Sequence, residues 1–332
     1  MIDPLVTGYA GILFIGDLHL ASGRVGRRVD GYSTSILHKL RQAAHISTDR
    51  RLFPVILGDV FHRPRENNLG LLSQLIAVLR EFPHAPFALA GSHDRTESWF
   101  TDKDAVQLLA QVGALRVIES VGPVLTLDCE GTHTTLWATP AGCVVPRQID
   151  RKAGDVNIMI THHDFDFCGK YPGAQELTEI AGCDLLVNGH MHTPTPMMLL
   201  GAQACHNPGS VARVSVDLKN HQPLVSAWTP AHGIGLERVP LLCASDVFDL
   251  TGKEVYAAHP DELKTSLPKG LRMSSFAAKL RGTDSLEAGR TDDGSVLVEE
   301  LHHYLTLFDK PAVLKTYMAE LLSQVLAAKT AT

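Results

Sequence analysis

The sequence predicts an α/β protein, a sandwich of sheets with helices on its outer faces. Three observations carry that prediction. Apolar runs such as Ile12-Leu13-Phe14-Ile15, Val55-Ile56-Leu57 and Ile158-Met159-Ile160 have strand length and end at turns. Segments with apolar residues three and four apart separate the earlier runs, as in βαβ units. Further on, short strands crowd together, which calls for more than one sheet.

Taken in order, the first strand is residues 12–15. Residues 33–46 read as a helix, with Ile36, Leu37, Leu40 and Ala44 on one stripe. A strand at 53–57 is followed by a helix at 67–82 that carries Leu69, Leu72, Ile76 and Leu79. A strand at 86–90 precedes a helix at 102–112 built on Val106, Leu109 and Val112. Short strands are expected at 115–118, 124–127 and 134–138. Two more, at 156–161 and 185–188, flank a helix at 174–181. The rhythm ends near Ser215, which sets a first domain at 1–215. Residues 216–290 read as a small α+β cap, with strands at 224–228 and 235–239 and a helix near 261–266. Residues 291–332 form a C-terminal helical element from segments 296–308 and 311–328. The last segment repeats Val313/Leu314, Tyr317/Met318, Leu321/Leu322 and Val325/Leu326 four residues apart. Asp309 is its N-cap and Pro311 lies in its first turn.

Composition narrows the class. Hydrophobic residues make up 45% of 332, enough for a sizeable core and too many for disorder. A net charge of −6 excludes a wholly basic nucleic-acid coat but not a local basic crevice. The six cysteines form no Cys-x-x-Cys pair, which reads as reduced thiols and a cytoplasmic setting. No stretch has signal-peptide character or the length of a membrane span.

Five fragments form a ladder of metal-ligand types: Asp17-Leu18-His19, Asp59 with His62, Ser92-His93-Asp94, His162-His163 and His190-Met191-His192. Most follow a predicted strand end, so parallel strands would deliver them from their C-terminal ends into one crevice. Asp17 and His19 alternate, and so do His190 and His192, so each pair can reach one ion. Gly58 lets the backbone turn tightly toward the ions before Asp59, and Gly189 removes bulk beside His190 and His192. Mixed carboxylate and imidazole donors suit Mn, Fe, Co or Zn.

This set resembles the calcineurin-like metallophosphoesterase superfamily, and more narrowly its SbcD-type DNA-repair nuclease subunits, phage versions included. The narrower resemblance rests on Gly58-Asp59-Val60-Phe61-His62 with Arg63-Pro64-Arg65 behind it, on His93-Asp94-Arg95-Thr96, and on Asn207-Pro208-Gly209-Ser210. It covers about residues 10–215. It implies a four-layer αββα metallophosphoesterase sandwich and two divalent ions, Mn foremost. Asp17, His19 and His192 would hold one ion, and His162 and His190 the other, with Asp59 between them. His162 is preferred over His163. His93 would face the scissile phosphate with Asp94 holding its ring, and His62 would help place the nucleotide or leaving group. Ser92 stands where the family has an asparagine ligand, which weakens the second ion's site.

Arginines follow three of the motifs: Arg24, Arg27 and Arg28, then Arg63 and Arg65, then Arg95, with Arg213 further on. Around the crevice they would hold a DNA backbone without reading its sequence. The resemblance further implies DNA exonuclease and endonuclease activity, homodimers, and a C-terminal element docked on an SbcC-type coiled-coil ATPase. Two rivals share the fold: a phosphoesterase for nucleotides or small diesters, and a weakly catalytic scaffold suggested by Ser92.

Overall fold

The computed structural model describes residues 5–97, 99–151, 156–167 and 174–250. Two sheets face one another. The first contains β2 (Gly11–Ile15), β3 (Leu52–Ile56), β4 (Phe87–Leu89) and β5 (Arg116–Ile118), all parallel. On its other side β12 (Leu224–Trp228) pairs antiparallel with β2, and β13 (Glu237–Pro240) with β12. The second sheet has the order β1 (Val6–Tyr9), β6 (Gly122–Cys129), β7 (Thr132–Thr139), β8 (Val156–Thr161), β9 (Leu185–Asn188), β11 (Gln203–His206), β10 (Met198–Leu200). β7, β8, β9 and β11 run parallel.

The period-2 alternation of strand side chains divides the core. Ile12, Phe14, Phe53, Val55 and Leu57 meet Leu125, Leu136, Ile158, Ile160 and Val187 between the sheets. The alternate residues Leu13, Ile15 and Ile56 face α1 (Tyr32–Asp49), α2 (Leu69–Leu79) and α3 (Ala105–Gln111). The α2 N-terminus is capped by Asn68, whose side chain accepts the Leu71 N–H at 3.0 Å.

The structure corrects two expectations here. Residues 174–181 are not helical. Leu177 and Ile180 bury their side chains against Met159, Phe165 and Leu186 from irregular chain. That chain is pinned by bridges from Gln175 to Phe165 and from Ala181 to Gln148. A single apolar turn without an N-cap lacks the length that makes a helix stable. One outer layer is therefore helical, while among the described residues the other is irregular chain. The second correction concerns the boundary at 215. β12 and β13, assigned to a cap, are strands of the main sheet, and the chain through Asp249 packs as one compact unit. The expected helices at 261–266, 296–308 and 311–328 lie outside the described residues. Among the described residues no helix is long and apolar enough to cross a membrane.

Candidate metal centre

Five strands end at one place. β2 leads into Asp17 and His19, β3 into Asp59, β4 into Gly91–Asp94, β8 into His162, and β9 into His190 and His192. The loops are stitched together by backbone. The Asp59 carbonyl accepts the N–H groups of Leu18 and His19 at 3.1 and 2.9 Å, and the Thr161 carbonyl accepts Gly189 N–H at 2.8 Å. Backbone conformation marks the same residues. His19, Asp59 and His190 have φ of +43°, +48° and +68°. Non-glycine residues held there carry strain that persists only where the surroundings over-determine it. A Cβ on Gly91 would overlap the Asp59 carboxylate and backbone nitrogen, and one on Gly58 would overlap His162 Nδ1. Gly91→Ala is therefore expected to displace Asp59 and abolish metal binding in a metal titration, while circular dichroism stays unchanged.

The side chains converge in two trios. Ligand atoms of Asp17, His19 and His192 lie within 4.8 Å of one another, and so do those of Asp59, His162 and His190. Asp59 links the trios: its Oδ2 is 3.6 Å from His19 Nε2 and 3.3 Å from His162 Nε2. His192 Nε2 is 3.4 Å from Asp17 Oδ2 and 2.8 Å from His19 Nε2. A third trio of His19, His62 and His93 sits alongside without a carboxylate of its own.

A metal pair fits this donor set. Asp17 Oδ2 and His162 Nε2 are buried and have no hydrogen-bond partner, a costly state unless a ligand satisfies them. His162 Nδ1 donates to the Leu57 carbonyl at 2.8 Å, which leaves Nε2 turned toward Asp59. The His19 and His192 nitrogens are about as close as two neighbouring ligands of one cation, each ~2.1 Å from it. Protonation follows the same logic. Burial, then His192, holds His19 well below its ordinary value, and burial, then His162, takes His190 down to about 4. Both are neutral and able to ligate. His162 is pushed up to about 10: burial opposes protonation, but the Asp59 carboxylate outweighs it. Burial works against the Asp59 anion too, yet His162 and His19 keep it ionised. A divalent cation would take the place of the proton on His162.

His93 lies beside the trios. Its backbone N–H donates to Asp59 Oδ1 at 2.8 Å. Its Nδ1 donates to the His62 carbonyl at 2.9 Å, leaving Nε2 for chemistry. The His62 ring stacks on it at 5.8 Å. Burial, then His93 and Arg63, brings His62 down to about 4. Ser92 is exposed, and its Oγ is 3.4 Å from Asp59 Oδ2.

Three expected roles change. Asp94 does not hold the His93 ring. Its carboxylate accepts the N–H groups of Val60, Phe61 and Gly91 at 2.8, 3.3 and 3.0 Å, bracing the Asp59 and Gly91 loops from beneath. Burial and the Asp59 charge raise it to about 7. Arg28 is not offered to a ligand. It is 2% exposed, chelates Asp30 at 2.7 and 2.5 Å, and donates to the Arg213 carbonyl at 2.8 Å. Arg213 is also buried and turned to the carbonyls of Lys219, Ala244 and Ser245. Arg24, Arg63 and Arg65 are exposed, and Arg27 and Arg95 are half-buried, Arg95 donating to the Ala141 carbonyl. His163 turns away to the Cys143 carbonyl at 2.8 Å, so His162 is the histidine beside Asp59.

Two asparagines given no role above hold these loops. Asn188 accepts from Thr161 Oγ1 and His163 N–H at 2.8 and 3.1 Å and donates to the His163 carbonyl at 2.9 Å. Asn207 donates to the carbonyls of Met191 and Thr193 at 3.0 and 2.7 Å, fixing the turn that carries His190 and His192. A buried asparagine closing the apolar run Leu185-Leu186-Val187 was the available signal for the first.

The profile of the calcineurin-like phosphoesterase family matches residues 10–194, more than half of the 332-residue chain, and the chain belongs to that family. A comparison with curated proteins finds no match.

Proposed function

We propose that this metallophosphoesterase is a Mn-dependent DNA phosphodiesterase acting as exonuclease and endonuclease in repair, recombination or phage replication. The observation that carries the reading is the pair of trios joined by Asp59, each with two buried members and one half-buried histidine, with His93 and His62 stacked beside them. Asp17, His19 and His192 would hold one cation and His162 and His190 the second, with Asp59 shared. Bound there, the ions supply charge neutralisation for a phosphodiester and a more acidic water. The protein's own groups do the rest. Asp59 is oriented by the His93 N–H, and the His62 carbonyl fixes the His93 tautomer. His93 Nε2 then serves the leaving oxygen as proton donor or charge stabiliser. Exposed Arg63 and Arg65, next to His62, favour a polyanionic strand over a small diester.

End-labelled linear duplex DNA with Mn, with and without chelator, tests the reading beside a small chromogenic diester. Chelator-sensitive DNA cleavage is expected. Turnover of the diester alone would favour the small-molecule reading. Residues 291–332 are the proposed docking element for an SbcC-type coiled-coil ATPase, with homodimers in the assembly.

Ser92 gives this chain its own metal requirement. A hydroxyl is shorter than a carboxamide and a poorer ligand while un-ionised. Ser92→Asn is expected to lower the Mn concentration for half-maximal cleavage on the order of tenfold. Superimposable Mn curves for the two proteins would place Ser92 outside the metal shell.

A further inference from the structure

The chain has three tryptophans. Two are held inside the fold. Trp228 is fully buried and donates to the Gly233 carbonyl at 2.8 Å, and Trp137 donates to Asn157 Oδ1 at 3.0 Å. Trp99 is 65% exposed.

The loop that carries Trp99 is built to present it. Its stem is closed by one buried carboxylate. Asp104 Oδ1 accepts Thr96 N–H and Oγ1 at 3.2 and 2.9 Å, and Oδ2 accepts Thr101 N–H and Oγ1 at 2.7 and 3.1 Å. Phe100 packs against the helix-side core, while its neighbour Trp99 stays in solvent. Ala105, the residue after Asp104, ties this loop to a second one: its N–H donates to the Pro64 carbonyl at 2.8 Å. Pro64 lies between the exposed Arg63 and Arg65. The two loops leave the site at adjacent points, because one begins at His62 and the other at His93, whose rings stack. Within the Trp99 loop Glu97 and Asp102 offset Arg95 and Lys103. Attraction for phosphate therefore comes from the Arg63-Pro64-Arg65 side.

We propose that Trp99 is a stacking platform for an unpaired nucleobase of the DNA strand entering the site, while Arg63 and Arg65 hold its phosphates. The proposal rests on the DNA reading above. An aromatic face beside backbone-tracking cations is the combination that single-strand binding uses. Every base has a π-face, so the platform adds affinity without sequence preference. Paired bases inside a duplex offer no free face, so the platform favours single strands and frayed ends over closed duplex.

The test uses full-length protein and a single-stranded oligothymidylate, kept intact by chelator at low salt. The oligonucleotide is expected to quench the exposed tryptophan's fluorescence. Trp99→Ala should lose that quenching and bind on the order of tenfold more weakly, the range of one stacked base. Trp99→Phe should keep most of the affinity. Both variants should hydrolyse bis(p-nitrophenyl) phosphate with metal at the wild-type rate, which shows an intact site. An abasic position that costs the wild type affinity but costs Trp99→Ala nothing would identify stacking as the cause. Equal oligonucleotide affinity for wild type and Trp99→Ala, or unchanged fluorescence at saturation, overturns the proposal and leaves the indole to a protein surface. A wild type that hydrolyses the diester but binds no DNA overturns the DNA reading, and the platform falls with it.

Discussion

Asp59→Asn is expected to lose both metal ions and reduce hydrolysis to background. The substitution isolates charge. Asparagine tolerates the left-handed conformation that Asp59 adopts at φ +48°, so the backbone need not move. Its carbonyl oxygen can still accept the His93 N–H that now reaches Oδ1 at 2.8 Å. What disappears is the anion facing both His19 and His162. A neutral amide shared by two cations is a poor substitute for a carboxylate. Metal content measured on protein of unchanged circular dichroism checks this. Two ions and near-wild-type turnover in the variant would remove the assignment of Asp59.

His93→Gln is expected to bind metals and DNA almost as the wild type does and to cleave about 10²–10⁴-fold more slowly, the usual contribution of a positioned acid or base. The expectation follows from placement. His93 spends Nδ1 on the His62 carbonyl and its N–H on Asp59, and it belongs to neither trio that contains a carboxylate. Single-turnover cleavage and calorimetric metal titration separate the alternatives. Loss of one ion from the variant would make His93 a ligand and reassign the leaving-group role.

The residues that converge in the two trios were legible in the sequence because each is local. An apolar run ends, a glycine or threonine follows, and the candidate ligand comes next, so strand position and chemistry are read from a few residues around Asp17, Asp59 and His190. What was not legible depends on contacts far apart in the chain. The strand Leu224–Trp228 has a readable pattern, but nothing local says that it pairs with Gly11–Ile15. Residues 174–181 have one helical turn of apolar spacing, yet Leu177 and Ile180 are buried equally well from irregular chain. Arg28 reads as a surface cation because Asp30 is its only evident partner in sequence. The Arg213 carbonyl and the rings of Tyr32 and Phe248 complete its buried nest. Asp94 misled for a related reason. The family resemblance implied a contact with the His93 ring, whereas its carboxylate is consumed by three backbone N–H groups from two loops.

The central claim is a pair of cations sharing Asp59. Electron paramagnetic resonance of the Mn-loaded protein tests it most directly, because two Mn(II) ions on one carboxylate are spin-coupled. Two Mn per chain with a coupled-pair spectrum, reverting in Asp59→Asn to the signal of free Mn, is the predicted result. A single isolated Mn(II) spectrum at saturation in the wild type would contradict it.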